Sequence, residues 1–206
     1  MTISDRQRRT RKALVGGARA LTAEHGLAGF TVEELCERAG VSRRTFFNYF
    51  PTKESAVLGV DPDWDEAFLE RFRSIPALER LGPLDDLLSL TLDAFAEMSP
   101  TREDALTMFA AVRREPRILA ALIEQDREQE QRLAGVIVER DGLDPLTARM
   151  TAVLSGAIVR SAAQDVFDSG DDLAGFATRL HEHLAAARAA LGDSPASATL
   201  IRTKDA

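Results

Sequence analysis

Arg44 and Asn48 lie four positions apart in a short basic and aromatic segment, RRTFFNY, that has a helical pattern. At about 100° per residue their side chains project from one face of a helix, with Thr45 and Phe47 at its borders. Arginine can donate two parallel hydrogen bonds to guanine, asparagine can pair similarly with adenine, and apolar groups contact the thymine methyl group. The segment therefore predicts a helix face that contacts base edges in the major groove of DNA.

Neighbouring groups are placed to contact the phosphate backbone rather than the bases. Arg43, Tyr49 and Lys53 flank the outward face, where a positive charge or a hydroxyl group would meet phosphate oxygens. The predicted helices that begin at Thr31 and Thr52 also offer free backbone N–H groups and a positive dipole end to phosphates.

The opposite side of the same segment is apolar. Phe46 and Phe50 fall on one inward face, so we expect both rings to be buried. In an isolated helix, the polar face with Arg43, Arg44 and Asn48 would more often be a solvated surface. The surrounding elements decide between the two interpretations.

The preceding predicted helix has signals at both ends. Thr31 at the N-cap and Glu34 at position N3 form a Thr-x-x-Glu capping box. Phe30 and Leu35 are spaced as a hydrophobic staple, and Gly40 is placed to end the helix.

Ser42 repeats the capping device for the next helix, with Val41 and Phe46 as its staple pair. Gly40 and its neighbours form a tight turn between the two helices, and Pro51 ends the second one. Two short helices joined in this way are typical of the helix-turn-helix, whose second helix enters the major groove.

The segment Gly29–Glu54 (GFTVEELCERAGVSRRTFFNYFPTKE) resembles the signature of the TetR (tetracycline repressor) family of transcriptional regulators. The resemblance extends over about residues 8–58 and rests on the core A-G-V-S-x-x-T-hydrophobic-aromatic-x-aromatic-F-x-x-K-E. It implies a sequence-specific repressor that binds a (pseudo)palindromic operator as a homodimer and is released by a small molecule. Together with the spacing it assigns DNA contacts to Thr31, Ser42, Arg43, Arg44, Thr45, Phe47, Asn48, Tyr49 and Lys53.

One position departs from the family pattern. Tyrosine is common where Phe47 stands, so we expect Phe47 to act by apolar contact rather than by a hydrogen bond. The basic start of the chain would add backbone or minor-groove contacts through Arg6, Arg8, Arg9, Arg11 and Lys12.

Helical periodicity dominates the 206 residues, and no run shows the sustained alternation of a half-buried strand. We predict an all-α protein with about nine helices, divided into three parts. Residues 1–58 form a three-helix DNA-binding domain with the helix-turn-helix at about 31–50, residues 59–192 a larger ligand-binding and dimerisation domain, and residues 193–206 a flexible tail. The later helices are predicted at Leu84–Met98, Arg102–Arg114, Pro116–Arg140, Pro145–Asp168 and Asp171–Leu191.

The charge distribution agrees with this division. The whole chain has a net charge of -7, yet residues 1–56 contain ten Lys or Arg against six Asp or Glu, a net +4. The remainder has 16 against 27, a net -11. A basic module on an acidic body suits phosphate contact by that module alone.

Composition also indicates a compartment. No apolar run approaches the ~18 residues needed to span a bilayer, and the polar start lacks a secretory pattern. The single cysteine, Cys36, cannot form an internal disulfide, which fits a reducing compartment. We therefore expect a cytoplasmic protein with no membrane partner.

The last two predicted helices are suited to form a dimer interface, in agreement with the family. The run Ser155-Gly156-Ala157 would permit close helix approach, although the same apolar stripes could instead pack within one subunit. The predicted interface residues are Met150, Val153, Leu154, Ala157, Phe176, Leu180 and Leu184.

A ligand pocket is expected between the DNA-binding head and the dimer helices. Its effector would be largely apolar, because the candidate lining is mostly aromatic and aliphatic with a few polar anchors. Aromatic residues at helical spacing are more often core, and that alternative stays open for each of them. The candidates are Trp64, Phe68, Phe72, Phe95, Met98, Met108, Phe109, Val112, Arg113, Arg160, Gln164 and Asp165.

Enzymatic and metal chemistry find little support in the sequence. Cys36 lies on an inward stripe without a positioned base, and His181 and His183 project ~200° apart on a helix. The Gly16-Gly17 pair lies inside a helical pattern rather than in a phosphate-binding loop. We expect no catalytic residue, metal or cofactor. A DNA-binding regulator without an effector, or an activator, remains the alternative.

Overall fold

The computed structural model describes residues 3–59, 61–98, 101–169 and 173–192, without the side chains of 3–5, 62, 64, 167, 173 and 174. These residues contain no strand, so the all-α prediction is confirmed, with ten α-helices rather than about nine. Two 3-10 turns add to them, at Leu27–Gly29 and Ala77–Glu79. The helices are α1 Ile3–His25, α2 Val32–Ala39, α3 Arg43–Tyr49, α4 Lys53–Leu58, α5 Pro62–Ser74, α6 Pro83–Met98, α7 Arg102–Arg114, α8 Pro116–Asp141, α9 Pro145–Ser169 and α10 Leu173–Leu191.

The helix ends follow the predicted capping chemistry. Thr31 and Glu34 form the complete capping box of α2, and Ser42 caps α3 by accepting the Thr45 N–H. Gly40 ends α2 in the left-handed conformation, at a φ of 66°, which a side chain would disfavour. The predicted helix start at Asp171 and the tail at 193–206 lie outside the described residues.

The first hydrophobic core lies among the four helices α1, α2, α3 and α4. Leu14, Ala18 and Leu21 of α1, which are spaced at i, i+4 and i+7, are buried in it. Ala111 of α7 and Ile118 of α8 are buried in the same cluster. The N-terminal helices therefore share their core with the body instead of forming an isolated unit.

Two further clusters form the body. One packs α5, α6, α8 and α9 around residues such as Phe72 and Ile137. The other joins α6, α9 and α10, where the rings of Phe95 and Phe176 stack with their centroids 4.2 Å apart. Within the described ranges, no helix is long and apolar enough to cross a membrane.

A buried ion pair connects α6 to the end of α8. The Arg140 guanidinium donates to the Asp86 carboxylate at 2.7 Å, and both side chains are at most 3% exposed. Arg140 also donates to the Phe72 carbonyl at 3.0 Å, and its guanidinium lies 3.7 Å from the centre of the Phe72 ring. Asp86 in turn accepts the Leu81 N–H at 3.0 Å. These bonds satisfy the two buried charges and fix three segments of the body.

Candidate functional site

Helix α3 has the two faces that the periodicity predicts. Phe46 is 0% exposed and Phe50 1%, whereas Phe47 between them is 49% exposed. The Phe46 ring contacts the Phe47 ring edge-on, with 5.1 Å between centroids. The buried rings therefore fix the rotation of α3 and direct its polar face to solvent.

Arg44 and Asn48 are both exposed on that face. Neither side chain forms a hydrogen bond or ion pair with any residue that the structure describes. Their donors and the Asn48 carbonyl oxygen are therefore available to an external partner. Arg43 differs, because its guanidinium pairs with Glu33 of α2 at 2.8 Å, with both side chains exposed. An exposed pair of this kind contributes little stability, so a phosphate can replace Glu33.

Two of the hydroxyl groups predicted to contact DNA, those of Thr31 and Ser42, already serve as helix caps. The Thr31 hydroxyl donates to Glu34 at 3.0 Å and accepts the Glu34 N–H. Ser42 and Thr45 share a hydrogen bond of 2.9 Å between their hydroxyl groups. Their contribution to the site is thus first to fix the starts of α2 and α3.

The Glu34 carboxylate is held in its charged form. It accepts the backbone N–H of Thr31 at 2.7 Å, and this bond, followed by the bond from the Thr31 hydroxyl, lowers the pKa of Glu34. The negative charge lies at the N-terminus of α2, where it complements the helix dipole. It also opposes the phosphate contact that was predicted for this end of the helix.

Lys53 links α4 to the turn before α2. Its ammonium group donates to the Leu27 and Phe30 carbonyl oxygens and lies 4.6 Å from the centre of the Phe30 ring. Two of its three N–H donors are thus used within the protein. Tyr49, which was also predicted to contact phosphate, is half-buried against the first core.

Two arginines of α1 support this arrangement through contacts within the protein that the sequence did not predict. Arg19 donates to the Val57 carbonyl at 2.9 Å and to the Leu58 carbonyl at 3.3 Å, at the C-terminal end of α4. Burial lowers the pKa of Arg19.

Arg11, predicted to contact DNA, pairs instead with Asp61 at 2.9 Å and lies over the Phe50 ring. Burial lowers the pKa of Arg11 as well, although Asp61 opposes that shift. The neighbours Arg6, Arg8, Arg9 and Lys12 are exposed.

A cavity of about 210 Å³ lies among α5, α6, α8 and α9. Four of the predicted pocket residues line it, namely Phe68, Phe95, Met98 and Arg160. Sequence reasoning missed the contribution of α8, which supplies Asp126, Gln129, Glu130 and Leu133 to the wall. The charged pattern of α8 gave no sign that part of it faces a cavity.

The other predicted pocket residues do not line this cavity. Phe72 is fully buried beneath Arg140, and Met108 and Val112 pack against the first core. The Trp64 side chain lies outside the described residues. The remaining candidates are exposed on helix surfaces, and they are Phe109, Arg113, Gln164 and Asp165.

The predicted dimer residues separate into two groups. Phe176 and Leu180 are buried within their own subunit, and Leu184 packs against the same cluster. The Phe176 ring and the two leucine side chains fill the space between α10 and α6. Of the small-residue run, Ser155 is buried and Gly156 lines the cavity. The residues left at the surface of α9 are the exposed Met150 and Ala157 and the half-buried Val153 and Leu154.

Comparison with known proteins places this geometry in a family. A family model described as bacterial regulatory proteins, tetR family, matches residues 14–58, which contain α2, α3 and α4. The HTH-type transcriptional regulator TcmR of Streptomyces glaucescens is 33% identical over 141 residues, which are 66% of this chain. The chain spans 62% of the length of TcmR.

A second relative is aligned over a larger share of its length. The HTH-type transcriptional regulator CymR of Pseudomonas putida is 30% identical over 145 residues, covering 68% of this chain and 70% of CymR. Among solved structures, the SmeT–triclosan complex is 24% identical, with a TM-score of 0.49 over 86% of this chain and 90% of that one. The chain belongs to the TetR family of bacterial regulatory proteins.

Proposed function

We propose that the protein is a sequence-specific DNA-binding transcriptional regulator, acting in the cytoplasm as a homodimer that a small molecule releases from its operator. The observation that carries the proposal is the outward face of α3. Arg44, Asn48 and the exposed Phe47 ring lie on a helix that Phe46 and Phe50 anchor in the core. Matching relatives are named HTH-type transcriptional regulators, which supports the same function.

Base contacts and phosphate contacts have different residues on this face. Arg44 and Asn48 are without partners among the described residues and are assigned to base edges. Arg43, Tyr49 and one remaining N–H of Lys53 are assigned to phosphates. Lys53 also holds the turn before α2, so it positions the helix-turn-helix as well as neutralising charge.

A dimer is needed because one helix-turn-helix covers only a half-site, and two half-sites lie one helical turn or a multiple apart. The outward sides of α9 and α10 are proposed for this interface. Met150, Val153, Leu154 and Ala157 of α9 are at least partly exposed in the single chain. The exposed residues of α10 include four alanines in the last two turns, Ala185, Ala186, Ala189 and Ala190.

Helix α8 could couple ligand binding to DNA binding, because it contacts both the cavity and the core of the DNA-binding head. Its first turns place Ile118 in the core of the DNA-binding head, and later turns place Asp126 and Glu130 at the cavity. Ile118 and Glu130 are about 18 Å apart along the axis at 1.5 Å per residue. A ligand that favours another position of α8 would thereby favour another spacing of the two recognition helices.

The function is tested by fluorescence anisotropy with the full chain and its own upstream intergenic DNA, against a shuffled duplex of equal length. We expect tighter binding to the upstream DNA, two subunits per half-site pair, and an affinity that falls steeply with salt. Arg43→Ala should weaken binding to both duplexes about equally, since it removes a phosphate contact. Equal affinity for the two duplexes with the wild-type chain would contradict sequence-specific binding.

Two alternatives have their own outcomes. Purified protein that stays on its operator in the presence of every candidate ligand would indicate a regulator without an effector. Higher transcription in the presence of the protein, in a reporter carrying the upstream DNA, would indicate an activator. A repressor should lower that transcription, and loss of the Arg44 side chain should restore it.

A further inference from the structure

The cavity has an apolar interior and a charged mouth. Phe68, Leu133 and Ala152 are buried residues of its wall, whereas Asp126, Glu130 and Arg160 lie towards solvent. Its volume of about 210 Å³ is small for a ligand pocket, which suits one ring with a short chain. A ligand that fits this cavity therefore has an apolar part inside it and a polar group at its mouth.

The charges at the mouth are unbalanced. Arg160 is 3.2 Å from Asp126 and 3.7 Å from Glu130, so two carboxylates share one guanidinium. Arg160 is the only partner of either carboxylate within the part of the chain that the structure describes. The mouth has a net charge of -1, and the carboxylates keep several unused acceptor positions.

The hydroxyl groups near the cavity donate elsewhere. Ser155 donates to the Ala152 carbonyl and Thr91 to the Leu87 carbonyl, each at 2.8 Å. Gln125, one turn before Gln129 on α8, has a buried side-chain oxygen with no hydrogen-bond donor among the described residues. The carboxylates of Asp126 and Glu130 thus keep unused acceptor positions at the mouth, and these can accept from a donor outside the chain.

At the mouth of the cavity the backbone of α9 lies directly against the ion pair. Gly156 of α9 faces it, and a Cβ there would lie 3.0 Å from the Arg160 guanidinium and 3.5 Å from the Glu130 carboxylate. A larger side chain at this position would fill the mouth. The glycine thus lets the Arg160 guanidinium pack against the backbone of α9 beside Glu130.

We infer that the cavity binds a small apolar amine whose ammonium group is held by Asp126 and Glu130, in place of or beside Arg160. This inference rests on the proposed function, since it names the class of effector for that site. The ammonium group supplies three donors to a mouth that has an excess of acceptors and of negative charge. An apolar anion would face two carboxylates against one guanidinium and would be rejected.

A matched series of probes tests the inference by isothermal titration calorimetry on the full chain without DNA. The probes are 4-phenylbutylamine, 4-phenylbutan-1-ol and 4-phenylbutyrate, which share a ring and chain and differ in charge. We expect the amine to bind about tenfold more tightly than the alcohol, and the carboxylate to bind most weakly. Tightest binding of the carboxylate, equal binding of all three, or binding of none would overturn the inference.

Variants of the charged groups give results of opposite sign. Glu130→Gln should remove most of the preference for the amine, while Glu128→Gln, an exposed acid of α8 away from the cavity, should leave it unchanged. Arg160→Gln should strengthen amine binding severalfold, because the competing cation is gone. Weaker amine binding in Arg160→Gln, with circular dichroism and melting temperature unchanged, would overturn the inference.

The DNA titration separates this inference from the proposed function. Operator binding without any preference for the amine would contradict only the ligand class. A preference for the amine that Glu130→Gln abolishes, in a chain that binds no operator, would support the site and contradict the regulatory function.

Discussion

The Glu115 carboxylate accepts a hydrogen bond from the Leu27 backbone N–H at 2.8 Å, across 88 positions of the sequence. Glu115 lies between α7 and α8, whereas Leu27 lies in the turn between α1 and α2. The carbonyl of the same residue, Leu27, accepts from Lys53 of α4. The backbone of one residue is thus held through its N–H by the body and through its C=O by the N-terminal helices.

Removal of this acceptor should destabilise the fold. In Glu115→Ala the partly buried Leu27 N–H loses its partner, which costs about 1–3 kcal/mol in the free energy of unfolding. Urea denaturation followed by circular dichroism measures the change. Glu124→Ala, which removes an exposed acid of α8, serves as the control and should change the free energy of unfolding little. Equal stability of Glu115→Ala and wild type would mean that the bond does not couple the two parts.

The buried ion pair should be far more sensitive than the exposed pairs of the same helix. Asp86→Ala leaves Arg140 buried with only Asp141 as its charge partner, and we expect a loss of about 3 kcal/mol or more in unfolding free energy. Asp93→Ala, which removes an exposed partner of Arg71 on α6, should cost less than about 1 kcal/mol.

The double variant Asp86→Ala/Arg140→Met distinguishes charge burial from packing. Because it removes both members of the most deeply buried pair together and leaves only Asp141 without its guanidinium, it should lose less than the sum of the two single variants. Additive losses in urea denaturation would show that the two groups act independently.

The faces of α3 and the capped ends of α2 follow from local spacing, and the structure confirms them. The wall of the cavity does not, because it depends on packing between distant helices. Phe68 and Phe72 share one stripe of α5, yet the first lines the cavity and the second lies under Arg140, which is 68 positions away. Likewise, Phe176 and Leu180 have a pattern that suits a dimer face but pack within their own subunit.

Stability should depend on pH through Glu34. Because hydrogen bonds from Thr31 lower its folded pKa, its contribution is fully present above the unfolded value of about 4.3 and is lost as the pH falls through the lowered pKa. Glu34→Gln keeps an acceptor but does not titrate. The difference in urea midpoint between wild type and Glu34→Gln should therefore be constant above about pH 5 and shrink below it. A difference that grows on acidification would contradict the capping role of the carboxylate.

Cys36 should react slowly in the native protein. Burial, followed by the charge of Glu33, raises the pKa of its thiol, and the side chain is 4% exposed in the first core. Since the thiolate is the nucleophile, the thiol should react with Ellman's reagent at pH 8 far more slowly than in urea-unfolded protein. Rapid reaction of the folded chain would show that the core beneath α2 opens readily.

In the proposed function, the outward face of α3 determines sequence-specific binding to DNA. The most direct test is an anisotropy titration of wild type, Arg44→Ala, Asn48→Ala and the control Arg127→Ala on the upstream intergenic DNA at fixed salt. Arg127 is an exposed arginine of α8. We predict that Arg44→Ala and Asn48→Ala each lose about 1–3 kcal/mol of binding free energy with an unchanged subunit stoichiometry, and that Arg127→Ala binds as wild type. Equal affinity of all four proteins would contradict the assignment of α3 as the recognition helix.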